Sequence, residues 1–291
     1  MAIPTVRLPF LSMVAAGLLA GSGVACAGDA SYKRTAELTV SHQSQSAIEV
    51  EARNGSIEIV ADNGASAVTV VAEIKAQSQE RADGVLVVAD RGPDGALKIQ
   101  AIWPEGKALN NEGCSFEIIV PDANGVTATT ANGSIEIMGL GGLATLQSSN
   151  GRVHVMGHNG PVDAGTSNGR IEIEDAAGPV SAKTSNGRIE LDDVMGPVSA
   201  KTSNGSVSVS LVQGASGPVE IKTSNGSIEF EFAPGFEGTL VMDCGRGSIE
   251  FTDAAGQTVR QKGHFELEIG AGGPVCELST SNGSISVSVE D

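Results

Sequence analysis

Short stretches of alternating apolar and polar residues recur along the chain. In residues 178–195, Val180 and Ala182 alternate with polar residues, which is the period-two pattern of a half-buried strand. A Ser-Asn-Gly turn follows, because Asn and Gly accept backbone conformations that other residues avoid. Ile189 and Leu191 then mark the inward positions of a second strand. Each repeat is therefore predicted to add one strand to each of two parallel sheets that pack face to face.

The Asn-Gly pairs recur at first every 18 residues. The asparagines of the series, including its less regular continuation, are Asn132, Asn150, Asn168, Asn186, Asn204, Asn225 and Asn282. A fixed period of this length is typical of a chain that coils into a solenoid, with one turn per repeat. We expect the asparagine side chains to stack as a structural ladder of amide hydrogen bonds along the axis.

Beyond Asn204 the interval changes. Asn225 follows after 21 residues, Arg246-Gly247 after another 21, and Asn282 after a further 36. We interpret Arg246 as the turn after Asn225, and Asn282 as two turns further on. This order gives about nine turns in residues 125–291.

Two other solenoid classes are excluded. In a left-handed β-helix of hexapeptides, Lys201 would share an inward row with Ile189, and a thin core cannot bury an unpaired lysine. Calcium-binding nonapeptide repeats need Gly-Gly-x-Gly-x-Asp, which the sequence lacks. Parallel crossovers are almost always right-handed. The predicted fold is all-β: a right-handed parallel β-solenoid with 18–21-residue turns and two main sheets.

The region before the regular repeats is rich in predicted strands but lacks the period. One isolated copy of the motif, Asn-Gly-Ser-Ile-Glu-Ile, begins at Asn54, and Pro104–Gly113 is predicted to be an exposed loop. We expect residues 28–124 to form an irregular β-rich part that caps the solenoid of residues 125–291.

The N-terminus is typical of a secretory signal peptide. Arg7 precedes an apolar run from Leu8 to Ala20, and a small-residue cleavage site ends at Ala27, so residues 1–27 are expected to be removed. Alternatively, the residues around Cys26 form a loose lipoprotein signal that would place a lipid anchor on that cysteine. Both alternatives predict an extracytoplasmic protein, in the periplasm, on the outer membrane surface or secreted. No other apolar run approaches the ~20 residues of a transmembrane helix.

Composition narrows the classes of partner. The net charge of −17 disfavours nucleic acid and anionic membranes. Aromatic residues make up only 3% of the chain, so a thin core of Val, Ile, Ala and Thr is expected. Cys114, Cys244 and Cys276 lack the spacing of a zinc site; they are either buried thiols or one disulfide with one free thiol. No cofactor is predicted.

The outward positions of one sheet form two charged rows. Two and four positions after the asparagines stand Arg152, Arg170 and Arg188 in one row, and Glu136, His154, Glu172 and Glu190 in the other. The other sheet presents Lys183, Lys201 and Lys222. The rows are either a solvated face of Arg–Glu pairs or a repetitive surface for cations or for a polymer such as a glycan. No metal site is predicted at His154 and His158, because His158 is expected to fall in a turn.

No catalytic residue is predicted. β-Helices that cleave polysaccharides need paired carboxylates, or calcium-bound aspartates beside a basic residue, in a cleft. Here the acidic residues follow the repeat, and Trp103 is the only tryptophan that could form a platform for a sugar. A polysaccharide-active enzyme is therefore the least favoured function.

The N-terminal signal, the segment Glu117–Pro121 and the repeated Asn-Gly-Ser-Ile-Glu-Ile blocks together resemble bacterial putative-adhesin domains, which are β-strand-repeat families of unknown function. The resemblance covers roughly residues 45–291. It implies an extracytoplasmic solenoid and supplies no catalytic residue. We expect an adhesin-like binding or structural module whose partner is a glycan or an envelope protein. The alternative is a periplasmic scaffold or sensor partner that docks another envelope protein.

Overall fold

The computed structural model describes residues 31–290, which form an all-β protein of mostly parallel strands. The predicted signal peptide, residues 1–27 with Cys26, lies outside the described residues. Besides its strands, the described chain has one short helix, α1 (Gln79–Asp83), and a single 3-10 turn at Pro104–Gly106. None of its helices is long and apolar enough to cross a membrane.

Two columns of stacked parallel strands build the body of the protein. The first column contains β2 (Ile48–Glu51), β6 (Leu97–Ile102), β8 (Asn124–Thr130), β10 (Gly141–Ser148), β12 (Val162–Thr166), β14 (Val180–Asn186), β16 (Val198–Asn204), β18 (Val219–Asn225) and β22 (Val275–Asn282). The second column contains β3 (Ile57–Ala61), β7 (Gly113–Val120), β9 (Ile135–Met138), β11 (Val153–His158), β13 (Ile171–Ala176), β15 (Ile189–Val194), β17 (Val207–Leu211), β19 (Ile228–Phe232) and β23 (Ile285–Val289). Within a column equivalent residues of successive turns face each other, as Asn186 faces Asn204.

The remaining strands close the two ends. At one end, β1 (Tyr32–Ser41) pairs with β4 (Ala67–Ala76), β4 pairs with β7, and β5 (Leu86–Arg91) pairs with β6, all antiparallel. At the other end, the long strands β20 (Gly238–Thr252) and β21 (Thr258–Ile269) form an antiparallel hairpin that crosses from the first column to the second.

The core lies between the two columns and consists of apolar rows. Two inward rows of the second column are at most 1% exposed, as their period-two pattern predicts: Ile135, Val153, Ile171, Ile189, Val207 and Ile228, and Ile137, Val155, Ile173, Leu191, Val209 and Phe230. Stacking at ~4.8 Å lets each side chain contact its equivalents above and below, so neighbouring turns bury surface that one turn could not bury alone.

Along the axis, the order of turns departs from chain order at both ends. Strand β2 lies between β6 and β8, and β3 lies between β7 and β9. At the other end, β22 and β23 lie between the turn of β18 and β19 and the hairpin strand β20. The predicted order beyond Asn225 is therefore wrong: Asn225 faces Asn282, and Arg246 follows Asn282.

The presence of asparagine in the motif indicates this order of turns better than the spacing between motif copies does. Asn54 and Asn282 belong to complete Asn-Gly-Ser-Ile motifs, and both have a turn on either side. Arg246 replaces asparagine in the outermost turn of this type, which has a neighbouring turn on one side and the antiparallel strand β21 on the other. The turns enclosed by two parallel turns thus keep the Asn-Gly pair, whereas the outermost turn has lost the asparagine.

Close approach of the backbone explains the glycine of each Asn-Gly pair. A Cβ added to Gly187 would overlap the carbonyl oxygen of Gly169 in the neighbouring turn. That same oxygen accepts a hydrogen bond from the buried Thr184 hydroxyl at 3.2 Å. The arrangement repeats through the stack with Oγ–O distances of 2.8–3.2 Å, from Thr130, Ser148, Thr166, Thr202, Thr223 and Thr280.

The asparagine side chains form one continuous hydrogen-bonded row beside these glycines. Each Nδ2 donates to the Oδ1 of the asparagine before it, at 2.6–3.0 Å, along Asn54, Asn132, Asn150, Asn168, Asn186, Asn204, Asn225 and Asn282. At the first end, Asn54 Nδ2 donates to the backbone carbonyl of Glu112 at 2.8 Å. The row therefore ends on a backbone acceptor in the segment directly before β7.

Glu112 anchors that segment. Its buried carboxylate accepts from Arg81 Nε at 2.7 Å and Nη2 at 2.8 Å, and from the backbone N–H groups of Leu109 and Gln77. The expectation of an exposed loop at Pro104–Gly113 is consequently wrong at its end, because this carboxylate holds the segment against β4 and α1. The hydrogen bond from Arg81 lowers the pKa of Glu112 to about 2, against an ordinary 4.5.

We expect Gly187→Ala to lower the free energy of unfolding by about 3 kcal/mol, because the new methyl group forces two turns apart. Ser185→Ala is the matched control, since Ser185 is exposed two residues earlier in the same turn. Urea unfolding followed by circular dichroism measures both changes. Equal stability of the two variants would contradict the close approach of the turns.

Ionised Glu112 is expected to stabilise the fold fully above pH ~4.5, and this contribution is lost as the pH falls towards about 2. Glu112→Gln should therefore cost up to about 3 kcal/mol at pH 7, and the difference from wild type should shrink between pH 4.5 and 2. Urea titrations at several pH values test this. The exposed Glu37→Gln is the control, and a difference for Glu112→Gln that does not change with pH would refute the assignment.

Candidate ligand-binding face

The outward side chains of β7, β3, β9, β11, β13 and β15 form one continuous surface, which we call the ladder face. Parallel pairing places equivalent positions of these strands side by side along the axis. His154 faces Glu136 on one side and Glu172 on the other. The predicted site residues Arg152, Arg170, Arg188, Glu136, His154, Glu172 and Glu190 therefore all lie on this one face.

Arginine and glutamate alternate in a chain of ion pairs across three turns. Arg152 pairs with Glu172, and Arg170 pairs with Glu172 at 2.6 Å. Arg170 also approaches Glu190 at 3.6 Å, and Arg188 pairs with Glu190 at 2.8 Å. The three arginine side chains are 48–54% exposed, whereas Glu172 is only 11% exposed. The carboxylates thus lie beneath a layer of guanidinium groups that face solvent.

Glu172 is the central carboxylate of this network. Burial raises its pKa, but the hydrogen bond from Arg170 and the charges of Arg152 and Arg170 outweigh burial and leave the pKa below its ordinary value. The side chain is therefore ionised at neutral pH and holds two arginines in fixed positions.

His154 lies between the ion-pair network and a row of carboxylates, and its own contacts are to glutamates outside the network. Its Nδ1 lies 3.2 Å from Glu136 Oε1, and its Nε2 lies 3.3 Å from Glu174 Oε1. His158 is separate: it is buried, and its Nε2 contacts the carbonyl oxygen of Gly142 at 2.8 Å. Within residues 31–290, no group of three or more His, Cys, Asp or Glu side chains is arranged to hold a metal ion.

Beyond His154 the ladder face changes character. Glu117, Glu58 and Glu136 stand side by side without an arginine row, because serines occupy the arginine positions, as Ser134 does before Glu136. Burial and the charges of both neighbouring glutamates raise the pKa of Glu58. This half of the face therefore carries a more concentrated negative charge.

A third row of the ladder face is not among the predicted site residues. Two positions after each carboxylate row stand Ile119, Val60, Met138 and Met156, followed by Glu174 and Asp192. Ile119 and Met156 are more than a third exposed. Extending the period-two pattern by one more outward position would have revealed this row, in which apolar residues give way to acidic ones.

The first column presents the lysine row. Glu220 accepts from Lys201 and Lys222, each at 2.6 Å, and Lys222 also lies 3.3 Å from Glu277. Hydrogen bonds from Lys201 and Lys222 lower the pKa of Glu220 to about 2. These lysines are thus paired within the protein, and the exposed Lys183 precedes them in the row.

An open depression of about 310 Å³ is lined by residues such as Gln45, Asn63, Asp122, Asn124 and Asn159. Asp122 is the only ionisable side chain in its lining. Its carboxylate already accepts from the Gln45 N–H at 2.6 Å and lies 3.1 Å from His42 Nε2. The lining thus lacks the pair of carboxylates that glycoside hydrolysis requires.

The three cysteines of the described chain are buried free thiols. Burial raises the pKa of Cys114 to about 12 and of Cys276 to about 11, and it also raises that of Cys244. Cys244 Sγ lies 3.0 Å from the Gly283 carbonyl oxygen, in the place that threonine holds in other turns. These thiols are therefore structural parts of the core.

Comparison with solved structures finds bacterial adhesin-like proteins. The chain is similar to a putative adhesin from Bacteroides fragilis, with 14% identity over 89% of this chain and 97% of that one, at a TM-score of 0.47. A putative adhesin from Parabacteroides distasonis shows 12% identity over 88% and 97% of the two chains, at 0.40. A putative cell adhesion protein from Clostridium sporogenes shows 9% identity over 89% and 100%, at 0.27.

All three of these proteins are named as putative adhesins or as a putative cell adhesion protein. No family model and no curated protein matches the sequence. What the chain binds must therefore be inferred from its own surface.

Proposed function

We propose that the protein is a non-catalytic, adhesin-like binding module of the bacterial envelope, and that its ladder face binds an extended, hydroxyl-rich polymer such as a glycan. The observation that carries this proposal is the in-register alternation of half-exposed arginines and partly buried glutamates over consecutive turns. A repeated surface suits a ligand that is itself a repeat.

The chemistry of the network matches hydroxyl groups. Arginine offers up to five N–H donors, and Arg152, Arg170 and Arg188 use only some of them on the glutamates. The more exposed carboxylate of Glu190 supplies an acceptor beside those donors, while Glu172 orients Arg152 and Arg170 from below. A sugar hydroxyl both donates and accepts, so donors and acceptors held side by side can satisfy it. Because ion pairs fix these side chains before binding, less conformational entropy is lost.

Net charge favours an uncharged polymer. The chain carries −17 overall, which repels anionic ligands at long range. In the network, three arginines face two glutamates, so the local field is close to balanced. The exposed Met156 and Ile119 lie on the same face and offer apolar contact to the C–H surface of a sugar ring.

We further propose the hand of the coil, the export of the chain and its attachment to the envelope. The coil is right-handed with turns of 18–21 residues, because parallel crossovers take that hand. Residues 1–27 direct export and are removed. The mature protein is secreted or attached to the envelope, with a lipid on Cys26 as the anchoring alternative.

A glycan array tests the ladder face directly. We expect wild type to bind extended neutral or weakly charged glycans, and Arg170→Glu or Glu172→Lys to weaken that binding at least about tenfold, because each change removes several ligand contacts together with the partner that orients its neighbours. Lys201→Glu, on the opposite column, is the control. Binding that survives both ladder-face substitutions would exclude this face as the site.

Cell fractionation separates adhesion from the periplasmic alternative. We expect the protein to be digested when protease is added to intact cells, and the mature N-terminus to have the mass of a chain that starts at Gly28 or at a lipidated Cys26. Protected periplasmic material with a co-purifying partner would instead support a scaffold or sensor partner for another envelope protein.

A further inference from the structure

The Asn-Gly pairs that recur along the chain are chemically labile. The backbone nitrogen that follows an asparagine can attack the side-chain Cγ, which closes a cyclic succinimide and releases ammonia. Water then opens the ring to aspartate or isoaspartate. Glycine favours the attack, because it has no Cβ to crowd its nitrogen. In an exposed and flexible peptide, each of these pairs would therefore lose its side-chain amide.

The hydrogen-bonded asparagine row opposes this attack. At Asn54, Nδ2 donates to the carbonyl oxygen of Glu112 at 2.8 Å, and Oδ1 accepts from Asn132 Nδ2 at 2.6 Å. Both bonds must break before Cγ can turn towards the backbone nitrogen. Gly55 is also buried, and the position of its missing Cβ lies against the carbonyl oxygen of Cys114. The reacting atoms of this pair are thus held apart and shielded from water.

Two Asn-Gly pairs outside the row are held by strand pairing instead. Asn124 begins β8 and pairs with Gly141, and Asn159 forms a parallel bridge with the same glycine. The Asn159 carbonyl accepts from the Gly142 N–H at 3.0 Å, and the Asn124 N–H donates to the carbonyl of Ser46 at 3.3 Å. This pairing holds the backbone around each asparagine, which limits the rotation that the attack requires.

The pair Asn63-Gly64 has neither kind of restraint. It lies at the centre of a β-turn between β3 and β4, closed by the Ala65 N–H, which donates to the Asp62 carbonyl at 2.9 Å. Asp62, Asn63 and Gly64 are all exposed, and no hydrogen bond within residues 31–290 involves the Asn63 amide group. The Gly64 N–H donates to Asp62 Oδ1 at 2.8 Å, and an exposed side chain of this kind exchanges its partner for water at little cost.

We propose that Asn63 is a site of spontaneous deamidation, and that the folded stack directs the reaction to this pair. The bond from Gly64 N to Asn63 Cγ forms, the bond from Cγ to Nδ2 breaks, and the proton of the Gly64 N–H leaves with the departing nitrogen as ammonia. Water then cleaves either C–N bond of the ring, which restores the Gly64 N–H and leaves a carboxylate. Water is the only co-reactant.

The product changes the open depression, because Asn63 lines it. The new carboxylate joins Asp122, which is otherwise the only ionisable side chain of the lining. Isoaspartate also adds a methylene group to the backbone of the turn, whose start is fixed by the Asp62 N–H donating to the Val120 carbonyl at 2.8 Å. Deamidation thus makes the depression more acidic and leaves the asparagine row intact.

A single tryptic peptide contains both the proposed site and its control. Cleavage after Arg53 and Lys75 releases residues 54–75, which include Asn54 and Asn63. The folded protein is incubated at mildly alkaline pH, and tandem mass spectrometry follows the conversion of each asparagine with time. We expect Asn63 to convert at least about tenfold faster than Asn54, because Asn54 must first break two hydrogen bonds. In concentrated urea the two should convert at similar rates.

Gly64→Ala is the matched variant. A Cβ at this position meets only the flexible end of the exposed Asp62 side chain, at 3.2 Å from Oδ1, so the fold should accept it. The methyl group crowds the attacking nitrogen, and we expect conversion of Asn63 to slow at least about tenfold in the folded protein and in urea alike. The urea comparison does not depend on whether the variant folds.

Conversion of Asn63 as slow as that of Asn54 in the folded wild type would overturn the proposal, as would an unchanged rate in Gly64→Ala. A difference between the two asparagines that persists in urea would also overturn it, because local sequence and not the folded stack would then select the site.

Discussion

The close approach of successive backbone turns at the Asn-Gly corner is the constraint on which the rest of the structure depends. Only a residue without a Cβ fits where Gly187 meets the carbonyl of Gly169. The same carbonyl needs a donor, which Thr184 supplies from inside the core. The asparagine amide then links the corner to the next one. The segment Ser/Thr-Ser-Asn-Gly is thus one structural unit. Its glycine allows the close approach, its first Ser or Thr satisfies the carbonyl, and its asparagine links successive turns.

Much of this arrangement can be predicted from the sequence, because each of these constraints requires a particular residue type at a fixed position. The period-two pattern locates the buried rows, and Ile135 and Ile171 are fully buried as it predicts. It also places Arg170 and Glu172 on one outward face. The order of turns along the axis cannot be predicted in this way, because it depends on which copies of the motif pair with each other. Asn282 fits beside Asn225 or beyond Arg246 equally well by spacing, and only the complete motif favours the enclosed position.

The local sequence pattern also fails to predict interactions between segments that are distant along the chain. From the sequence, Glu112 is predicted to lie in an exposed loop. In the structure its carboxylate is buried and accepts hydrogen bonds from Arg81 and two backbone amides. His154 reads as a neighbour of Glu172, but its Nε2 faces Glu174, one outward row further along the strand. On the ladder face, the strand pairing sets which residues are adjacent, while side-chain length and the balance of charge decide which of them interact.

The interleaved order of β20 to β23 limits how this end of the stack can assemble during synthesis. A ribosome makes the hairpin of β20 and β21 before β22 and β23, yet the later strands lie between that hairpin and the turn of β18 and β19. The hairpin therefore cannot dock in its final place until the last strands have been made. A simple solenoid can grow one turn at a time in the direction of synthesis. Here β22 and β23 must enter between the hairpin and the turn of β18 and β19, so the stack cannot be assembled in the order in which its strands are made.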